Sequence, residues 1–178
     1  MNRREVDYSR PYQSDDGRPL SQKTTLNALE AIWKEYDNRL KTAYAQKQEF
    51  GLTKNEDAKN FLRREVYVLG IALKRNPPSW SLSDFIASTR MHKSTRVSAL
   101  EGQVFHALLM GVYEEDSTIS RQERWSMAKE LEYAFAHRVP PKLLCGFLLQ
   151  SGGRKHLLKK LETGFKEPAF RKPTADVS

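Results

Sequence analysis

The chain has 178 residues and a mass of 20.6 kDa, a length typical of one domain. It carries 30 Lys and Arg residues against 22 Asp and Glu residues, so its formal net charge is +8. The longest apolar run, Leu143–Leu149, is far too short to span a membrane, and aromatic residues occur along most of the chain. The composition therefore excludes transmembrane, fibrous and wholly disordered proteins, and we expect no membrane partner.

The compartment is inferred from cysteine usage and from the first residues of the chain. Cys145 is the single cysteine, so no intramolecular disulfide can form. Residues 1–21 contain four arginines and no apolar run, which is unlike a secretory signal. We therefore expect the protein to be cytoplasmic.

The distribution of Pro, Gly and charged residues divides the chain into three parts. Residues 1–21 show no helical or strand period, which predicts a flexible N-terminal arm. Residues 22–164 show helical periods almost throughout and are predicted to form a single helical domain. Residues 165–178, which contain Pro168 and Pro173, are predicted to form a flexible C-terminal tail.

The first predicted helix covers residues 24–50, with Thr24 or Thr25 as its N-cap and Gly51 as its stop. Its apolar residues are spaced by three and four, close to a heptad pattern, which favours a helix that packs on its own domain. The same spacing also allows a homodimer or a protein partner to bind through this helix. The apolar residues are Leu26, Leu29, Trp33, Tyr36, Leu40 and Tyr44.

A second helix is predicted from the capping box Thr53-x-x-Glu56 to the proline pair that begins at Pro77. The β-branched residues within 65–71 leave a strand as the alternative. We favour the helix because the flanking basic residues recur at helical intervals. Its apolar face consists of Phe61, Leu62, Val66, Leu69, Ala72 and Leu73.

The rest of the domain is also predicted to be helical. Ser81-x-x-Asp84 opens a short helix, and Ser94 or Thr95 caps a longer helix that reaches Val112. Ser120-x-x-Glu123 opens the next helix, and two further helices cover 142–150 and 154–163. No convincing strand pair is left, so the predicted fold class is all-α, a compact bundle of about six or seven helices.

The segment 81–109 predicts a helix-turn-helix element for binding nucleic acid. A short helix, a basic break and a longer helix follow one another, and residues 89–98 contain three basic residues and no acidic one. A helix that presents its N-terminal residues to the major groove needs this arrangement. The candidate binding residues are Arg90, Lys93, Ser94, Thr95 and Arg96.

Residues 84–100 resemble the helix-turn-helix of bacterial transcription repressors over a stretch of about 20 residues. Two positions depart from that pattern, since Arg90 stands at the usual glycine of the turn and Arg96 at a usually buried apolar position. The alternative is a pair of core helices joined by a solvated basic loop. The matching residues are Ala87, Met91, Ser94, Thr95, Val97 and Leu100.

A second basic cluster follows Gly152 and Gly153 and consists mainly of Arg154, Lys155 and Lys159. Residues 154–178 hold seven basic and three acidic residues. Cations in the first turn of a helix interact unfavourably with the helix dipole, and a bound anion offsets that unfavourable interaction. These residues are secondary candidates for phosphate contacts, and a solvated helix face is the alternative. A third basic set flanks the second helix: Lys59, Arg63, Arg64, Lys74 and Arg75.

Tryptophan positions add one further expectation. Trp80 follows a Pro-Pro-Ser loop and is the one expected to be exposed, available for stacking on a base or for docking a protein. Trp33 and Trp125 fall in helical apolar stripes and are expected to be core residues.

The sequence contains no constellation that indicates catalysis. The four histidines have no metal-ligand spacing, no Gly-rich phosphate loop occurs, and Cys145 lies among apolar residues as a small buried hydrophobe would. We therefore expect no enzyme activity, no metal and no cofactor. The predicted function is nucleic-acid binding, DNA rather than RNA, by a DNA-associated regulator; the alternative is a helical protein–protein interaction module.

Overall fold

The fold is a bundle of helices, as the sequence predicts. In the computed structural model, which describes residues 18–50, 55–90, 101–112 and 119–168, seven α-helices are present and no strand occurs among these residues. The helices are α1 (Gln22–Phe50), α2 (Asn55–Arg75), α3 (Leu82–Arg90), α4 (Val104–Val112), α5 (Arg121–Ala136), α6 (Leu144–Gln150) and α7 (Gly153–Glu162), and a 3-10 turn, Pro141–Leu143, precedes α6. The all-α fold class is thereby confirmed, and none of the described helices is both long enough and apolar enough to cross a bilayer.

Helix α2 lies at the centre of the bundle. It packs against α1, α4, α5 and α6, while α7 packs on α5 and α6 and contributes Leu157 to the core. Residues 65–73 of α2 are all buried, because neighbours surround this stretch on every side. The continuous burial explains why residues 65–71 also match a strand pattern; the helix is the correct interpretation.

Two glycines allow helices of the core to approach closely. A Cβ atom at Gly70 of α2 would lie 2.2 Å from Phe105 Cε1 of α4, and one at Gly111 of α4 would lie 2.4 Å from Ile86 Cδ1 of α3. Neither distance leaves room for a methyl group. These contacts fix α4 against its neighbours on two sides.

Hydrogen bonds at the helix starts show which capping predictions are correct. The Ser120–Glu123 capping box is confirmed, with Ser120 Oγ accepting from Glu123 N at 3.2 Å and Glu123 Oε2 accepting from Ser120 N at 3.1 Å. The N-cap prediction for α1 is wrong, since Ser21 Oγ accepts from Thr24 N at 3.1 Å and the helix begins at Gln22. Thr53 lies outside the described residues.

The predicted helix from residue 94 to Val112 is not continuous. Residues 101–103 form a turn in which Gly102 has a φ of +73°, and α4 begins only at Val104. A left-handed glycine cannot continue a right-handed helix without interrupting it. The second helix of the proposed helix-turn-helix therefore does not extend through residues 101–109, and residues 91–100 lie outside the described part of the chain.

The chain that follows α7 contacts the C-terminal end of α5. Glu167 Oε1 accepts from Tyr133 Oη at 2.8 Å and from Lys160 Nζ at 2.6 Å, and Glu167 N donates to His137 Nε2 at 3.1 Å. His137 Nδ1 lies 2.8 Å from Tyr133 O, a carbonyl to which it can only donate, so the proton of a neutral His137 is on Nδ1. The predicted C-terminal tail thus begins with residues that are bound to the domain, and 169–178 lie outside the described residues.

Candidate nucleic-acid interface

The residues of the predicted helix-turn-helix fall at the edge of the described chain. Arg90 is the last residue of α3. Lys93, Ser94, Thr95 and Arg96 lie outside the described residues, so their candidate role stays a prediction.

The second basic cluster lies on the exposed side of α7. Gly152, with a φ of +96°, is the N-cap, and Arg154, Lys155 and Lys159 are all solvent-exposed. Arg154 Nε lies 3.9 Å from Glu130 Oε1, whereas Lys155 and Lys159 form no ion pair with any residue in the described ranges. Two uncompensated positive charges on one short helix make this surface attractive to an anionic polymer.

Lys160, on the same helix, has a different role. Its Nζ donates to Ser151 O at 2.9 Å and to Glu167 Oε1 at 2.6 Å, and its side chain is 27% exposed. It therefore holds both ends of α7 in place. Only part of the positive charge counted in the sequence is available to a ligand.

Most cations of the third basic set form ion pairs within the protein. Three of its cations on α2 pair with three carboxylates on α5, across sequence separations of 58 to 67 residues. The nitrogen–oxygen distances lie between 2.8 and 3.0 Å, and the pairs are Lys59–Glu123, Arg63–Glu130 and Lys74–Glu132. The hydrogen bond from Lys59, with a smaller contribution from the Ser120 amide, lowers the pKa of Glu123 despite partial burial. This set fastens α2 to α5 and does not form a ligand surface.

An exposed tryptophan, missed by the sequence analysis, lies on α5. Trp125 is 41% exposed, so the prediction that it is a core residue is wrong. Lys129 Nζ lies 5.8 Å from the centre of its ring, and both residues line a pocket of about 300 Å³ with Leu161 of α7. Arg121, Trp125 and Lys129 recur every four residues, a stripe of cations and one aromatic that could have revealed this surface.

His106 of α4 also lines the Trp125 pocket. Partial burial lowers the pKa of His106, and the nearby cations Arg124, Lys129 and Arg121 lower it further. The imidazole is therefore neutral at pH 7, and the charged residues that line the pocket are Lys129 and Glu132. Of the three cations that lower the pKa of His106, Lys129 alone lines the pocket, beside the ring of Trp125.

The other two tryptophans are packed against the domain. The expectation that Trp80 is exposed is wrong, since its Nε1 donates to Leu20 O at 3.1 Å and its ring meets the edge of Phe85 at 5.2 Å. Trp33 is partly buried and packs against the core, as predicted. Trp80 is thus a structural link between the start of α1 and the loop before α3.

Cys145 is less buried than predicted, because it is only partly covered by α2. Its Sγ lies 3.5 Å from Arg64 Nη1 and 4.0 Å from Asn60 O. Within the described residues, no group of three His, Cys, Asp or Glu side chains is placed to hold a metal ion.

Comparison of the chain with protein families, with curated proteins and with solved structures finds no significant match.

Proposed function

We propose that the protein is a DNA-associated regulator of the cytoplasm that binds DNA through phosphate contacts made by α7 and by the segment 90–96. One observation carries the proposal: Lys155 and Lys159 are exposed on α7 and unpaired among the described residues, although most cations of α2 are neutralised by α5. Cations that are not engaged in ion pairs bind a polyanion by releasing its counterions.

The surroundings of α7 support the same function. The Trp125 pocket, where α5 meets Leu161 of α7, adds Lys129 as a further cation and an exposed ring. Exposed aromatic rings beside cations stack on unpaired bases, so single-stranded DNA is a second substrate to compare with duplex DNA.

A salt series of binding measurements with duplex DNA, single-stranded DNA and RNA tests the proposal. For the double variant Lys155→Ala/Lys159→Ala we expect affinity for duplex DNA at low salt to fall about tenfold, with the salt slope reduced by about two. The matched control is Lys23→Ala/Lys34→Ala, which removes two exposed lysines from α1 and the same net charge. Equal binding by both double variants would show that α7 is not the interface.

The predicted helix-turn-helix is tested separately. We expect Lys93→Ala/Arg96→Ala to weaken binding to duplex DNA while the helical content seen by circular dichroism stays unchanged. Unchanged gel-shift affinity at low salt would remove this segment from the proposal and leave α7 as the interface.

A second candidate function, binding of a protein partner, is favoured by exposed leucines at the two ends of α6. Leu143 and Leu149 are 55% and 81% exposed, and Tyr44 near the end of α1 is 66% exposed. Exposed large apolar side chains can mark a docking surface. Sedimentation of the chain alone and of Leu149→Glu distinguishes the cases: a dimer that the substitution dissociates supports interaction through α6, whereas a wild-type monomer argues against self-association.

A further inference from the structure

A groove lies between the C-terminal ends of α2 and α5, and its described lining includes no residue of α7. It has a volume of about 740 Å³ and is partly open to solvent. This volume falls in the range of ligand sites, and a partly open site suits an extended chain better than an enclosed small molecule. Its apolar lining includes Ile71, Phe135, Val139 and Pro141.

Two exposed arginines stand on the lining of this groove. Arg75 comes from the last turn of α2, and Arg138 comes from the segment that follows α5. Lys166 adds a third cation beside the groove, since its Nζ donates to Ala136 O at 3.1 Å. No acidic residue belongs to the described lining, so the groove is complementary to a negatively charged ligand.

Arg138 occupies a backbone position that normally belongs to glycine. Its φ is +53°, and it is the only non-glycine residue with a positive φ in the described chain. Arg138 N donates to Phe135 O at 2.9 Å and Val139 N donates to Ala134 O at 3.1 Å, the two bonds of a Schellman motif. An arginine kept at a strained position is an observation that points to a use for its side chain.

The backbone amides along the groove are already hydrogen-bonded within the protein, so the two arginines are the main polar groups that a ligand can contact. The amides of residues 137–139 all donate to carbonyls of α5, and Pro140 and Pro141 have no amide hydrogen. Tyr67 Oη donates to Val139 O at 2.9 Å. A ligand therefore cannot add to this wall as a strand, and it must offer acceptors to the two guanidinium groups.

We propose that this groove binds an acidic peptide segment of a partner protein, in which an aliphatic side chain fills the apolar floor and flanking carboxylates pair with Arg75 and Arg138. Arginine suits this role because its planar guanidinium binds a carboxylate through two parallel hydrogen bonds. The site is separate from α7, so a partner can bind here whether or not α7 contacts DNA.

The floor of the groove favours a peptide over a nucleic acid. Most of the floor is aliphatic, and the ring of Phe135 is already engaged, with Lys74 Nζ 4.7 Å from its centre and Phe105 edge-on at 6.0 Å. Bases need an uncovered aromatic face on which to stack. An aliphatic side chain between two carboxylates needs only the cavity and the two arginines.

The test uses a display library of random linear peptides, selected on the intact protein and on the Arg138→Gly variant. Glycine suits the left-handed position, so this variant keeps its fold while it loses the charge. We expect the wild type to enrich sequences in which Asp or Glu flanks Leu, Ile or Val. By isothermal titration calorimetry, the enriched peptides should bind Arg138→Gly at least about tenfold more weakly.

Further variants separate the outcomes. Arg75→Gln should weaken the same peptides, and Arg121→Gln, which removes an exposed arginine from α5 outside the groove, should not. The proposal is overturned if no acidic–aliphatic sequence is enriched, or if the enriched peptides bind Arg138→Gly as tightly as the wild type. It is also overturned if Arg138→Gly weakens binding of DNA and leaves peptide binding unchanged, because the groove would then serve nucleic acid.

Discussion

Arg63 of α2 donates to Glu130 of α5 across 2.9 Å, and the two side chains are only 14% and 9% exposed. The other carboxylate oxygen of Glu130 lies 3.9 Å from Arg154 Nε, so one buried acid on α5 faces cations from α2 and α7. This contact connects the centre of the bundle to its outer basic helix.

Removing one partner of this pair should be costly. We expect Glu130→Ala to lower the free energy of unfolding by about 3 kcal/mol, because Arg63 would keep its charge in a mostly buried place without a counterion. The control is Glu35→Ala, which breaks the more exposed Glu35–Arg39 pair and should cost less than about 1 kcal/mol. Urea unfolding followed by circular dichroism measures both, and equal costs would contradict the prediction.

Gly70→Ala and Gly111→Ala should each destabilise the protein by about 2 kcal/mol, because the new methyl group would overlap Phe105 or Ile86. Alanine is otherwise a better helix former than glycine, so the steric overlap decides whether the substitution lowers or raises the free energy of unfolding. Gly146→Ala on α6, where nothing lies within 4 Å of the added Cβ, provides the control and should stabilise by about 0.5 kcal/mol. Thermal unfolding compares the stability of the three variants with that of the wild type. A Gly146→Ala protein that is less stable than the wild type would contradict the prediction.

The burial of Glu65 should make the stability of the protein depend on pH. Burial raises its pKa above the ordinary value of 4.5, with Arg64 and Arg39 acting in the opposite direction, and no described donor reaches its Oε1 atom. Above the raised pKa the folded protein holds a charge that the unfolded chain solvates better, so stability is lost as the pH rises from 4.5. Glu65→Gln should therefore be more stable than the wild type at pH 7, with a difference that narrows toward pH 4.5.

Urea unfolding at a series of pH values checks this prediction. Glu30→Gln, at an exposed position on α1, is the control. Its difference in stability from the wild type should not change comparably with pH. A Glu65→Gln protein that is less stable than the wild type at pH 7 would mean that the attraction of the two arginines outweighs the cost of burial.

Arg138→Gly should raise the free energy of unfolding by about 1 kcal/mol, because glycine adopts a φ of +53° without a steric penalty. Arg138→Ala keeps the penalty and removes the guanidinium, so it should show no such gain. The urea midpoints of the two variants, compared with that of the wild type, test this prediction. A destabilised Arg138→Gly protein would show that the exposed arginine side chain makes contacts that stabilise the fold.

The helical elements could be predicted because the apolar period and the capping boxes are local features. The pattern around Ser120 and the end of α2 before Pro77 needed no knowledge of the tertiary fold. The break at Gly102 was missed because its glycine lies between two stretches that each match a helix. A period alone does not show where one helix stops and the next begins.

The candidate surfaces were harder to predict because they depend on which helices meet. Lys59, Arg63 and Lys74 look like a basic cluster in the sequence, and only the packing of α2 against α5 shows that acids far along the chain neutralise them. Trp125 matches a core stripe but lies at its margin, where its side chain is 41% exposed. Burial at a helix margin is set by the neighbour, which the helix's own sequence does not specify.

The placement of the three tryptophans gives the protein an internal optical reporter. Trp33 and Trp80 are held against the core, whereas Trp125 is exposed beside Lys129. A soluble quencher should therefore reach Trp125 first, and a ligand that covers the α5 pocket should shield it. Emission from the unlabelled wild-type chain can thus report occupancy of that pocket separately from the arginine groove, whose described lining contains no tryptophan.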